Sequence, residues 1–373
     1  MTKFYLWRVA GLLLLTAGLT VARADDFASG VAAYRAQDYA AARQVFQRLA
    51  QAGEAPAQFA LGLLYDNGDG VPQNDVTAAG WYEKSANQGY AKAQYNLGVM
   101  HLTGRGVPRN DARARRWFEQ AAAQGNSDAV ARIIQFAEGG DVEAQYRLAL
   151  MYLRGGAVPR DQTLSYRWMQ RAAARGHLNA MFGMGLLAET GQGTDRSYAA
   201  AVNWYVPASQ QGQVQATYNL ARLVRLGQGQ PRDLARAAQL YEKAASAGFV
   251  PAQLSLGMLF DFGEGWPRNP ASAVVWYKLA ANNGSADAQI NLGYLYATGG
   301  GGVARDSIDA YARTYAGERL GHPLGTVNLA LMGRGLEASE VSLAQARGRG
   351  YLNRARSLPS ANLTRDEPST LTP

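Results

Sequence analysis

The sequence predicts an all-α fold, a solenoid of antiparallel helix hairpins. Three observations predict it. A small residue opens each of seven similar segments, at Ala57, Ala93, Ala144, Ala180, Ala216, Ala252 and Ala288, and all neighbouring starts but one lie 36 residues apart. Glycine, 42 of 373 residues, recurs at fixed places within that period. An aromatic pair marks the second half of most segments, as in Trp81-Tyr82, Trp117-Phe118, Trp204-Tyr205 and Trp276-Tyr277. Self-similarity at such a period signals a helical repeat array. Each hairpin in one buries its apolar face only against its neighbours.

Taken in order, the chain begins with Lys3, Arg8 and an apolar stretch centred on Leu12 to Leu15. It ends Val21-Ala22-Arg23-Ala24, with small residues where a signal peptidase reads. The run contains Gly11 and Gly18 and is short of the roughly 20 residues a bilayer span needs. Residues 1–24 are expected to be a cleaved signal peptide. The product from Asp25 onward is expected in a bacterial periplasm or secreted, without stable membrane insertion. There is no cysteine. Disulfides, thiol catalysis and thiolate metal sites are therefore excluded, although an oxidising compartment would permit disulfides. The net charge of +8 falls to +5 once Lys3, Arg8 and Arg23 leave with the signal. The remaining arginines are scattered, without the stripe a nucleic-acid binder concentrates.

Residues 25–56 read as an amphipathic hairpin. Tyr34, Tyr39, Phe46 and Leu49 are its expected core, and Gly53 its terminator. From Ala57 each unit repeats one plan. The fifth position is a large apolar residue (Leu61, Leu97, Leu148, Met184, Leu220, Leu256, Leu292) and the sixth is always small (Gly62, Gly98, Ala149, Gly185, Ala221, Gly257, Gly293). Glycine inside a helix costs about 1 kcal/mol relative to alanine. Its recurrence there predicts a crossing too close for a larger side chain. A loop of the type Gly68-Asp69-Gly70-Val71-Pro72 follows, its glycines supplying positive φ. Short polar residues then stand where a second helix needs an N-cap: Asn74, Asn110, Asp161, Ser197, Asp233, Asn269 and Asp306. The tryptophans are expected in the core. The second helices end at Gly89, Gly125, Gly176, Gly212, Gly248 and Gly284. Residues 129–143 read as a truncated unit that keeps a first helix and lacks the rest. Residues 325–357 read as two capping helices, and 358–373 as a disordered tail rich in Pro, Ser, Thr and charge.

The pattern Ala-x-x-x-Leu-Gly-x-x-Tyr, Gly-x-Gly-Val, Ala-x-x-Trp-Tyr, Ala-Ala-x-x-Gly resembles Sel1-like repeats, relatives of the tetratricopeptide repeat. It covers residues 57–324 apart from the truncated unit. The resemblance implies a right-handed α-solenoid with a tetratricopeptide-like cap at 25–56. It also implies an adaptor role, in bacteria often exported and active in envelope assembly, signalling or host contact. Some cysteine-rich secreted relatives have been described as penicillin-binding or β-lactamase proteins. Their stapling disulfides have no counterpart here, and that activity is not transferred.

Little in the sequence points to catalysis. His101 takes the place held elsewhere by Tyr65, Tyr152 and Tyr296, while His177 and His322 follow glycines at hairpin ends. None has zinc-binding spacing. Nucleophile elbows and phosphate-binding loops are absent, and Gly299 to Gly302 reads as an expanded repeat loop. Glu83, Glu119 and Glu242 share one offset and read as outer-face residues. No cofactor, metal or nucleic acid is expected. The favoured reading is a scaffold that binds a protein through a concave face lined by first helices. Arg147, Asn219, Arg222, Asn291 and Tyr294 are its candidate contacts, with Trp266 as a loop candidate. A module for peptidoglycan or another envelope glycan is the alternative. A β-lactamase-like hydrolase is a third reading, and it would need a nucleophile beside a base.

Overall fold

The computed structural model describes residues 26–357. The expected signal segment, 1–24, and the expected tail, 358–373, lie outside them. Two compact units divide at Asp161 and Gln162, and each is described by itself. The first holds α1 (26–35), α2 (Tyr39–Gln51), α3 (Ala55–Asn67), α4 (Asp75–Asn87), α5 (Ala91–Thr103), α6 (Asp111–Ala123), α7 (Ser127–Glu138) and α8 (Val142–Arg154). The second holds α9 (Gln162–Ala174), α10 (Leu178–Thr190), α11 (Tyr198–Gln210), α12 (Val214–Leu226), α13 (Leu234–Ser246), α14 (Val250–Phe262), α15 (Pro270–Asn282), α16 (Ala286–Thr298), α17 (Ser307–Arg319), α18 (Gly325–Met332) and α19 (Ala338–Ser357). Among the described residues the only extended pairing is a single bridge, Gly300 to Val303, inside the expanded loop.

The helix starts follow the capping chemistry. Asn74, Asn110, Ser197, Asp233, Asn269 and Asp306 each accept a backbone N–H from the residue three further on, at 2.8–3.2 Å. Those bonds satisfy N–H groups that a helix start leaves without a partner.

The small sixth position has the predicted cause, and the structure names the object. A Cβ on Gly62 would lie 2.7 Å from the Tyr82 ring, and one on Gly98 would lie 2.7 Å from the Phe118 ring. The Cδ1–Cε1 edge of each of these rings therefore lies against a helix backbone. The second glycine of each loop meets a different neighbour. A Cβ on Gly70 would fall 2.6 Å from Tyr39 Cβ, and one on Gly301 would fall 2.6 Å from Pro270. Gly-x-Gly thus seats each loop on the start of the preceding second helix.

Two expectations need correction. In each aromatic pair the tryptophan is half-buried, and its partner is the core residue. Tyr82, Phe118, Tyr205 and Tyr277 are 0% exposed. Only the second member points at the small-residue ridge, so only it is sealed. Lys84 instead lies over Trp81, 4.0 Å from the ring centre. The truncated unit also differs. Helix α7 begins like a first helix, capped by Asn126, but ends like a second helix, with Gly140 at φ +89°. Gln145 Nε2 donates to Ala137 O at 3.0 Å, as Gln58 does to Ala50 O and Gln94 to Ala86 O. One helix therefore starts in one role and meets α8 in the other. The left-handed Gly140 is what turns the chain directly into α8.

Candidate functional site

A polar clasp recurs between neighbouring hairpins. Its centre is the buried tyrosine of a second helix. Tyr82 Oη donates to Asp66 Oδ2 at 3.0 Å, and Tyr205 Oη donates to Glu189 Oε2 at 3.1 Å. Both carboxylates lie sixteen residues earlier, on the first helix of the same hairpin. From the next first helix, fourteen residues later, Asn219 Nδ2 donates to Tyr205 Oη at 3.3 Å. Asn96 occupies the same place for Tyr82. Asp261 and Asn291 bracket Tyr277 in the same register, although neither closes to full hydrogen-bond geometry there. A buried hydroxyl left without partners would cost about 1–3 kcal/mol, and the clasp supplies one acceptor and one donor. Burial and the adjacent carboxylate raise the pKa of Tyr82 and Tyr205.

The hairpin built on Tyr241 departs from this plan at three positions. Its sixth position is Ala221 in place of glycine, the carboxylate position holds Arg225, and the asparagine position holds Ser255. The Arg225 guanidinium lies beside the Tyr241 hydroxyl and pairs through Nε with Glu264 Oε2 at 2.7 Å. Burial and nearby Tyr218 push the Tyr241 hydroxyl up to about 12, against the pull of Arg225. At this junction lies a small cleft of about 20 Å³, lined by Arg225, Tyr241, Ser255, Met258, Leu259, Phe262 and Glu264. Its two sequence signals were in plain view as Ser255 among asparagines and Arg225 among carboxylates. Without the clasp they had no evident meaning.

The candidate residues named from sequence fall into this scheme unevenly. Asn219 and Arg222 are brought together: Asn219 holds Tyr205, and Arg222 pairs with the Glu189 that Tyr205 also contacts. Asn291 lies beside Tyr277. Tyr294 stands outward at 59% exposure. Trp266 is half-buried and stacks on Phe260 of its own hairpin, ring centres 4.9 Å apart. Arg147, in the first unit, meets Glu143 Oε1 at 2.7 Å and Glu119 Oε2 at 3.8 Å. Its register partner fourteen residues earlier is Ile133, so it has no tyrosine hydroxyl to hold. Arg115 joins the same cluster, 3.6 Å from Glu119 and 2.5 Å from Asp141. Burial holds the Glu119 carboxyl above the ordinary range despite both arginines.

The three glutamates of one offset therefore separate, with Glu83 and Glu242 exposed and Glu119 inside an ion cluster. His101 is buried, with Nδ1 3.4 Å from Pro108 O. His322 Nδ1 accepts from Leu324 N at 3.1 Å, which places its proton on Nε2, facing Asp287 at 3.3 Å. Among the described residues no cluster of three potential metal ligands occurs, and no helix is long and apolar enough to cross a membrane.

Beside Tyr294, two apolar residues of the second unit that the sequence did not single out, Leu226 and Phe262, are exposed. Leu226, Phe262 and Tyr294 are 51%, 67% and 59% exposed, on α12, α14 and α16 in succession. Leu226 and Phe262 occupy the same position of consecutive repeats.

The family model for the Sel1 repeat matches residues 55–90, 91–126, 142–177, 178–213, 214–249, 250–285 and 286–312, skipping the segment that carries α7. Among solved structures, the chain is similar to a Sel1 repeat protein from Oxalobacter formigenes. Identity is 31%, over 78% of this chain and 80% of that one, with a TM-score of 0.49. It is also similar to a protective antigen of uropathogenic Escherichia coli strains that displays an SLR fold. There identity is 25%, over 91% of this chain and 86% of that one, with a TM-score of 0.42. No curated protein matches the chain.

Proposed function

The chain belongs to the Sel1 repeat family, and from that premise we propose that it is an exported scaffold whose protein partner docks on the first-helix face of the second unit. Sel1 repeat proteins are generally protein–protein interaction scaffolds, and their solenoid is typically non-catalytic. One observation carries the choice of face. Leu226, Phe262 and Tyr294 present large side chains to solvent on three successive first helices. All the other strongly exposed large apolar residues among those described lie on second helices or in the C-terminal segment from Leu324. Clustered apolar exposure of this kind marks interaction surfaces. Export rests on the segment ending Val21-Ala22-Arg23-Ala24.

The test is site-specific photocrosslinking in the native cell envelope. A photoreactive residue is placed at Phe262, at Tyr294 or at the outward Glu242. The proposal expects a discrete protein joined from positions 262 and 294 and not from 242. The purified partner should then bind the Phe262→Ala, Tyr294→Ala double variant at least about ten-fold more weakly, a loss of about 1.4 kcal/mol. Equal labelling from all three positions would overturn the choice of face. Labelling of glycan alone would favour the envelope-polymer reading.

A further inference from the structure

We propose that α18 is the open half of an eighth hairpin, and that an amphipathic helix of a partner protein completes it by laying an aromatic side chain over Ala330. This is a second site. It stands whether or not a partner docks on the face of Leu226, Phe262 and Tyr294.

The register of α18 is that of a first helix. Gly325 follows the N-cap Asp306 by nineteen residues, as Ala252 follows Asp233 and Ala288 follows Asn269. Leu329 then holds the fifth position and Ala330 the small sixth. Gly325 is buried like the alanines whose place it takes, and α18 packs on α17 as each first helix packs on the second helix before it. The second helix of this unit is missing. α19 packs along α17 and hardly touches α18. Twenty residues beyond the sixth position, other units place Tyr82, Phe118, Met169, Tyr205, Tyr241 and Tyr277. Here that count reaches Gly350, which is exposed, with no atom within 4 Å of an added Cβ.

What α18 leaves bare is the side on which a hairpin closes. In the first hairpin Phe59, at the third position, and Gly62, at the sixth, both meet the Tyr82 ring. The sixth position is buried in all seven units and exposed at Ala330. Val327, at the third, is 60% exposed, with Leu324 and Leu331 beside it at 57% and 49%. No residue of α18 is charged. A helix that caps a repeat array turns a polar face to water, and α18 turns an apolar one.

Two facts choose the occupant. The bare side continues the interface that a second helix fills elsewhere in the array, so its fit is to a helix bearing a ring. Its size also suits a single crossing helix. α18 is about 12 Å long and about 10 Å wide, far short of the roughly 800 Å² that each partner of a stable dimer buries.

The probe is a stapled peptide copying Leu234–Ser246, a second helix whose unit likewise has alanine, Ala221, at the sixth position. Its staple joins positions 235 and 239, both exposed in the chain. Fluorescence anisotropy with the full-length chain should give a Kd below about 1 mM, and replacing the peptide's tyrosine by alanine should weaken binding at least about ten-fold. Ala330→Arg and Val327→Asp should each abolish binding. Both positions are exposed, so the thermal midpoint should stay unchanged. No binding, equal affinity for the two peptides, or binding that survives either substitution would overturn the proposal. Two other occupants would overturn it as well. A chain that sediments as a dimer and becomes monomeric with Ala330→Arg assigns the face to a second copy. A peptide that binds only after the chain is cut back to Ser357 assigns it to residues 358–373.

Discussion

Substituting Gly62 by alanine pits two opposite expectations against each other. In an isolated helix the change would stabilise by about 1 kcal/mol, because alanine loses less backbone entropy. In this hairpin the new methyl would stand 2.7 and 2.8 Å from two ring carbons of Tyr82. Ordinary contact between carbons is about 3.5–4.0 Å, so the ring would have to retreat by about 1 Å. It has nowhere to go. Tyr82 is fully buried, Phe59 packs on it at a ring-centre distance of 5.7 Å, and Asp66 holds its hydroxyl at 3.0 Å. Overpacking of a filled core costs about 1–3 kcal/mol, and a hydrogen bond to a charged group contributes about 1.5–3 kcal/mol. Taking the upper part of the first range, part of the second and the propensity gain of opposite sign leaves a net loss of about 2 kcal/mol. The assay is thermal unfolding followed by circular dichroism on the chain from Asp25, with Gly80→Ala as the internal control. Gly80 lies in α4 of the same hairpin, exposed, with no atom within 4 Å of an added Cβ. At about 2–4 °C per kcal/mol for chains of 150–250 residues, Gly62→Ala should lower the midpoint by about 4–8 °C. Gly80→Ala should raise it by up to about 4 °C. An unchanged or higher midpoint for Gly62→Ala would refute the reasoning that the ring fixes this glycine.

Further outcomes follow from the same geometry. Gly265→Ala would force a side chain into φ +80° and drive its Cβ into the Leu234 carbonyl of the preceding repeat. It should cost at least about 2 kcal/mol, seen as lost amide-exchange protection in α13 and α14; uniform protection would count against loop seating. Tyr205→Phe should cost about 1–2 kcal/mol in denaturant titration because Glu189 and Asn219 both lose a partner. Tyr241→Phe should cost less, since its hydroxyl has no carboxylate in the clasp position; equal costs would contradict the clasp. Glu119 titrates above its ordinary value of 4.5, chiefly because it is buried. The folded chain therefore holds that proton more tightly than the unfolded chain. This contributes stability that is full below about 4.5 and is lost as pH rises through the folded value. Glu119→Gln should flatten that fall in urea midpoints taken as pH rises above the ordinary carboxylate range, and an unaltered slope would exclude Glu119 as its source.

Local chemistry was legible in the sequence wherever one residue type has one use. Asn74, Asp233 and Asp306 announced helix starts because a short oxygen-bearing side chain reaches the free N–H groups of a first turn. The small sixth position announced close packing because an interior glycine needs a compensating cause. The period then required hairpins to stack. What tertiary structure decided was the partner at each distance. The sequence could not say which member of Trp81-Tyr82 would be sealed, because a helix places neighbours about 100° apart and only packing selects the inward one. It could not mark Asn219 as a tyrosine's partner or Arg222 as a glutamate's, because those contacts join residues 14 and 33 positions apart. Nor could it show that Arg225 and Ser255 stand at one tyrosine. Each looked like an ordinary variation until stacking carried them, from two successive hairpins, to the cleft beside Tyr241.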